Sequence, residues 1–99
     1  MIWHVVRFDC TDLDESTRQE LESSLAALAS LDEVSWLRIA RDVEDPTATG
    51  LLTVFADADA LARYRVHPEH VPVVERIKAL GIPTVRLDIA TDDEPSDLP

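Results

Sequence analysis

The chain has 99 residues, a length that fits one domain with a single hydrophobic core. Its 20 acidic and 9 basic residues give a net charge of −11, which argues against nucleic acid as a partner because a polyanion would be repelled. No apolar run is long enough for a membrane span or a signal peptide, and the single cysteine, Cys10, cannot form an internal disulfide, so we expect a cytoplasmic protein that does not bind membranes.

Six predicted elements follow one another in the order βαββαβ. Branched and aromatic residues predict the strands, and Leu21, Leu25 and Leu28 recur at helical spacing after the capping groups of residues 11–14. Pro68 disfavours helical conformation at the residue before it and therefore interrupts the second helical stretch. The predicted strands cover residues 2–9, 34–41, 51–56 and 83–90, and the predicted helices end near residue 30 and cover 58–80.

This order predicts a ferredoxin-like α+β fold, in which two helices cover one face of an antiparallel four-stranded sheet. The strands are apolar on both faces, however, since Trp3 and Val5 point away from the face that carries Val6 and Phe8. An antiparallel sheet that meets water normally has polar residues on that side. We therefore predict a homodimer in which the uncovered faces of two sheets pack together.

The last nine residues, 91–99, contain four acids, two prolines and no base. This composition is typical of a disordered segment. We therefore predict one folded domain over residues 1–90, followed by a disordered acidic tail.

The segment YRVHPEH places Tyr64, His67 and His70 at the helix interruption. Pro68 suits the first position of a new helix, and position 70 then falls on the apolar face together with Val74. Burial and the positive end of the helix dipole both lower the pKa of an imidazole, so we expect a neutral His70 that can accept a proton. Tyr64 is a weakly acidic phenol that can donate a hydrogen bond to a developing oxyanion.

Each of these residues also has a purely structural interpretation. His70 fits a hydrogen-bonded core histidine, and Tyr64 fits a core aromatic residue. His67 precedes a proline, and we expect it to brace the junction. No Cys or His spacing predicts a metal site.

The stretches MIWHVVRF, LLTVFADADALARY and YRVHPEHVPVVE resemble the stress-responsive dimeric α+β barrel domain family over about residues 1–90. The resemblance implies a ferredoxin-like protomer whose sheet packs on that of a second copy. In a plant polyketide cyclase of this family, a tyrosine and a histidine of the motif form the acid–base pair, and these roles would fall on Tyr64 and His70. A further histidine of that cyclase is matched by Thr49. The residues that match its substrate cleft are His4, Val6, Phe8, Leu51 and Thr53.

Three functions follow as alternatives. The first is a cofactor-independent cyclase or isomerase that acts on a small hydrophobic carbonyl compound, polyketide- or lactone-like, with a cofactor-independent monooxygenase as a variant. The second is a non-catalytic dimer that binds a small hydrophobic molecule, and the third is a stress-associated structural protein with a filled core. Frequent alanine, aspartate and arginine indicate a bacterial source.

Overall fold

Four strands form one antiparallel sheet in a computed structural model that describes residues 1–97. The strands lie in the order β2-β3-β1-β4, and the helices cover one face of the sheet. This arrangement confirms the predicted ferredoxin-like α+β fold. The elements are β1 (Ile2–Asp9), α1 (Glu15–Ala27), β2 (Trp36–Arg41), β3 (Ala48–Phe55), α2 (Ala58–Arg65), α3 (Val71–Ala79) and β4 (Thr84–Ala90), with 3₁₀ turns at Leu28–Ser30 and Pro95–Asp97.

Strand β1 lies at the centre of the site because it pairs with β3 on one side and with β4 on the other. His4 of β1 is opposite Thr53 of β3 and Asp88 of β4. Side chains of directly paired residues share a face, so these three lie in one row on the helix-covered side of the sheet.

The hydrophobic core lies between this face and the helices. Apolar side chains from alternate positions of the strands meet leucines from α1 and α2, and Tyr64 packs among them with only 1% of its surface exposed. Burial of such side chains is the main favourable contribution to folding. The principal members of the core are Val6, Phe8, Leu51 and Phe55 from the sheet and Leu21, Leu25 and Leu61 from the helices.

Four elements begin at positions that differ from the prediction. Strands β2 and β4 begin at Trp36 and Thr84, two residues and one residue after their predicted starts. Strand β3 begins at Ala48, three residues before the predicted start, because Ala48 and Thr49 pair with Asp9 and Arg41 of the neighbouring strands. Helix α3 begins at Val71 rather than at Pro68. Residues 68–70 form a turn in which the carbonyl of His67 accepts hydrogen bonds from the backbone N–H groups at 70 and 71.

The outer face of the sheet is apolar, as predicted. Val85, Leu87 and Ile89 of β4 are exposed to 68%, 59% and 44%. Farther along the same face, Val54 is fully buried between its cross-strand partners, which are the chain's two tryptophans, Trp3 and Trp36. Across residues 1–97, no helix is long and apolar enough to cross a membrane.

Residues after β4 contact the first strand. The carbonyl of Thr91 accepts a hydrogen bond from the amino group of Met1 at 2.8 Å, and the carbonyl of Asp93 accepts one from the Trp3 indole at 3.0 Å. Residues 98 and 99 of the predicted tail lie outside the described residues. The disorder predicted for residues 91–99 stays a prediction.

Candidate functional site

A cavity of about 340 Å³ lies between the sheet and the helices α2 and α3. This volume is at the lower end of the range for small-molecule sites, about 300–1,000 Å³. Its walls are mostly apolar, and its polar side chains are few. The polar and charged lining residues are His4, Tyr64, Arg65, His70, Lys78, Thr84 and Arg86.

Tyr64 and His70 are brought together by the turn between α2 and α3. Tyr64 lies in the last turn of α2, and His70 is the residue that precedes α3. Their ring centroids are 4.1 Å apart with an angle of 35° between the ring planes. Both rings line the cavity, so a ligand inside it meets the phenol and the imidazole together.

Burial lowers the pKa of His70 below its ordinary value of 6.5, and the charges of His4 and His67 lower it further. A hydrogen bond with the backbone carbonyl of Arg65 acts in the opposite direction. The Nδ1 atom lies 3.3 Å from this carbonyl oxygen, which can only accept, so Nδ1 carries the proton of the neutral ring. Nε2 is then the free base.

Burial raises the pKa of Tyr64 to about 12. The phenol therefore stays protonated at neutral pH and keeps its O–H group as a donor. A protonated phenol next to a neutral imidazole gives the cavity one hydrogen-bond donor and one proton acceptor at the same place.

His4 is fixed by a partner that the sequence analysis did not single out. Its Nδ1 atom is hydrogen-bonded to Oδ1 of Asp88, and the other carboxylate oxygen of Asp88 lies 3.3 Å from Nη2 of Arg65. The ring of His4 lies 6.5 Å from that of Tyr64, measured between centroids. The alternation of apolar and polar residues in PTVRLDIA is a signal that puts Asp88 on the polar side of β4, but the pairing with His4 depends on strand register.

The remaining residues matched to the family's cleft divide into two groups. Val6, Phe8 and Leu51 line the cavity, as His4 does. Thr53 is fully buried beside them but does not line it, and within residues 1–97 its hydroxyl has no hydrogen-bond partner.

Thr49, which replaces a histidine of the plant cyclase, belongs to a separate buried network. Its hydroxyl accepts hydrogen bonds from Nη2 and Nε of Arg18 at 3.0 and 3.2 Å and lies 2.9 Å from the carboxylate of Glu22. This network ties α1 to β3 and does not line the cavity.

His67 also lies outside the cavity lining. Its Nδ1 atom accepts a hydrogen bond from the backbone N–H of Glu69 at 3.0 Å, and its Nε2 atom lies 3.9 Å from the carboxylate of Glu33. Over residues 1–97, no group of three or more His, Cys, Asp and Glu side chains is arranged to hold a metal ion.

The fold and the cavity together define a class of protein: a ferredoxin-like protomer with an apolar site between its sheet and its helices and with a second, uncovered sheet face. The family model of the Stress responsive A/B Barrel Domain matches residues 2–90. The chain belongs to this family. No curated protein sequence is similar enough to this chain to count as a relative.

Solved structures with the same fold include proteins with and without a known activity. SnoaB, a cofactor-independent oxygenase from Streptomyces nogalater, has a TM-score of 0.78 at 16% identity, with 97% of each chain covered. The protein At3g17210 from Arabidopsis thaliana has a TM-score of 0.79 at 19% identity, covering 95% of this chain and 98% of that one. A dimeric ferredoxin-like protein of unknown function from Thermobifida fusca has a TM-score of 0.77 at 18% identity, covering 91% and 90%. At these identities the similarity establishes the fold.

Proposed function

We propose that the protein is a cofactor-independent cyclase or isomerase that acts on a small hydrophobic carbonyl compound of polyketide or lactone type. The observation that carries this proposal is the contact between Tyr64 and His70 at the wall of an apolar cavity. A half-buried neutral imidazole is a base, and a buried phenol is a hydrogen-bond donor, which are the two groups that enolate chemistry needs.

In the proposed reaction, Nε2 of His70 removes a proton from the carbon next to a carbonyl group. The electron pair of the broken C–H bond moves to the carbonyl oxygen, and the Tyr64 hydroxyl donates a hydrogen bond to the enolate oxygen. In a cyclase, the enolate carbon then attacks a second carbonyl of the same molecule, and the new alkoxide takes the proton back from His70. In an isomerase, the proton returns to a different carbon. Atoms and charge balance in both cases without a cofactor.

A homodimer formed through the outer sheet face is part of the proposal. The exposed apolar side chains of β4 support it, as do related solved structures described as dimeric. The cavity opens on the opposite face of the sheet, so this association would leave the site free.

An alternative is a non-catalytic dimer that binds a small hydrophobic ligand. The apolar walls of the cavity favour it, because they need neither His70 nor Tyr64 to bind such a molecule. A cofactor-independent oxygenase, as the structurally similar SnoaB is described, is a variant of the proposed enzyme and differs by consuming oxygen.

The proposed first step can be tested without knowing the substrate. 2-Nonanone in D₂O exchanges its α-protons for deuterium only when a base removes them, and NMR follows this exchange. We expect catalysed exchange by the wild type, a loss of about 100-fold or more in His70→Gln, and a loss of about 10- to 100-fold in Tyr64→Phe.

His67→Gln is the matched control, because His67 is the neighbouring imidazole outside the cavity. Its exchange rate should equal that of the wild type. If the wild type shows no exchange but 2-nonanone raises its melting temperature, the ligand-binding alternative replaces the enzyme. Oxygen uptake measured with an electrode separates the oxygenase from the cyclase.

A further inference from the structure

The cavity lining contains three basic side chains and, among the described residues, no acidic one. In the whole chain the acids outnumber the bases by 20 to 9, so the lining reverses the composition of the protein. The three bases are Arg65 from the end of α2, Lys78 from α3 and Arg86 from β4, and we call them the cationic rim. They are exposed, whereas Tyr64 and the apolar wall residues of the sheet are buried, so the rim lies where the cavity meets solvent.

The rim carries more positive charge than its neighbours neutralise. Asp88 is the carboxylate beside it, with Oδ2 at 3.3 Å from Nη2 of Arg65 and 4.0 Å from Nε of Arg86. The other oxygen of Asp88 is bonded to His4. Lys78 has no ion-pair partner among residues 1–97. One carboxylate therefore pairs with two of the three cations, and the group keeps an excess of two positive charges at the mouth of an apolar cavity.

Such an excess is informative in a protein of net charge −11. Charges more than about 8–10 Å apart are screened at physiological ionic strength, so a bound ligand responds mainly to the charges that adjoin the cavity. Among the described residues, Asp88 is the carboxylate within 4.0 Å of the rim. Apolar walls with a cationic edge match a molecule that has an apolar body and an anionic end.

We propose that the ligand of this cavity is an amphipathic anion, whose apolar body enters the cavity and whose carboxylate or phosphate group binds Arg65, Lys78 and Arg86. The proposal rests on the cavity of the proposed function and names the class of substrate that it takes. The backbone carbonyl of Arg65 also positions His70, so an anionic group on the rim would hold the substrate next to the proposed base. The anion is either a carboxylate of the substrate itself or a phosphate of a carrier attached to it.

Calorimetric titration of the full chain with three eight-carbon probes tests this: octanol, octanoate and octyl phosphate. Octanol measures the apolar cavity alone, and the two anions distinguish a carboxylate from a phosphate. We expect at least one anion to bind about fivefold or more tightly than octanol at low salt, and this preference to shrink in 0.5 M NaCl.

The variant Lys78→Gln/Arg86→Gln should weaken binding of the preferred anion between about 2-fold and 25-fold and leave octanol unchanged. Arg76→Gln is the control, because Arg76 is an exposed base of the same helix that does not line the cavity. The proposal is overturned if octanol binds as tightly as both anions, or if Arg76→Gln has the same effect as the double variant.

These outcomes separate the anion from the catalytic proposal. If octanol binds and neither anion is preferred, the proposal that the rim binds an anion is refuted and the catalytic proposal is unaffected. If an anion is preferred but the protein does not exchange the protons of 2-nonanone, the result supports anion binding at the rim and refutes the catalytic proposal. If none of the three probes binds, the amphipathic anion is ruled out, and the exchange of 2-nonanone protons alone decides on the enzyme.

Discussion

The protonation state of His70 is set by two neighbours that act on different parts of its ring. Tyr64 covers one side and removes water from it, which penalises the charged form. The carbonyl of Arg65 fixes Nδ1 as the protonated nitrogen, so Nε2 is the nitrogen that can accept a proton. At the scale of single residues, burial and one backbone contact thus favour the neutral form of this histidine, which is the form that the proposed reaction requires.

The lowered pKa of His70 predicts how stability depends on pH. Above pH 6.5 the imidazole is neutral in the folded and in the unfolded chain, so it adds no pH dependence. Below 6.5 the unfolded chain binds a proton at His70 that the folded chain does not, so stability falls as the pH falls. Urea titrations between pH 7 and 5.5 should show a decrease of up to about 1.4 kcal/mol per pH unit that His70→Gln loses. An unchanged slope in this variant would contradict the assignment. The lowered pKa of Glu22 reduces stability only when the pH falls below about 4.5, outside the range of this experiment.

The sequence predicts a residue of the site when the pattern that marks this residue lies within a short stretch of the chain. Tyr64 and His70 were found because a proline interrupts a helix between them, and both lie within seven positions of the chain. Asp88 was missed because its partner, His4, is 84 positions away. Their contact depends on the pairing of β1 with β4, which no local pattern specifies.

At the scale of elements, β3 shows how a buried polar network changes a strand boundary. The sequence TAT at positions 47–49 is polar and follows a proline, which favours a loop. In the structure, Ala48 and Thr49 pair with Asp9 and Arg41 of the neighbouring strands, and Arg18 from α1 donates hydrogen bonds to Thr49 and to the carbonyls of residues 46 and 48 at this end of the strand. Periodicity predicted that the strand exists, but its start depends on contacts with residues distant in sequence.

Two threonines of β3 make a matched test of this network, since both are buried to at least 99%. Thr49→Val removes a partner of Arg18 and Glu22 and should lower the free energy of unfolding by about 1–3 kcal/mol. Thr53→Val replaces a hydroxyl without a partner by a methyl group of the same shape and should be neutral or stabilising. Urea unfolding of both variants measures the difference. Equal losses would show that the hydroxyl bonds of Thr49 do not stabilise the fold.

At the scale of the whole molecule, the sheet separates two surfaces with different features. One face carries the cavity with His4, and the other carries the exposed apolar side chains of β4. The two-sided apolar pattern of the strands predicted this division, because alternate residues of a strand point to opposite faces. The cavity itself was not predictable from periodicity, since a void is a property of packing among distant elements.

The proposed association through the outer face predicts a change in mass when a charge is placed there. Leu87 is 59% exposed and lies opposite Val5 on this face. Leu87→Asp would bury a carboxylate in an apolar interface, so the variant should sediment as a monomer of 11.0 kDa and the wild type at twice this mass. Val66→Asp adds the same charge at an exposed position between α2 and α3 and should leave the mass unchanged. A wild type that sediments as a monomer at micromolar concentration would refute the dimer.

The aromatic residues are divided between the two surfaces in a way that makes the protein its own optical probe. Trp3 and Trp36 both lie on the outer face beside Val54, whereas the chain's single tyrosine, Tyr64, lies at the cavity. Indole fluorescence should therefore change when the outer sheet faces of two copies associate as the protein concentration rises. The ultraviolet difference spectrum of the phenol should follow the filling of the cavity. In one unlabelled sample, the fluorescence then reports on dimerisation and the difference spectrum reports on ligand binding in the cavity.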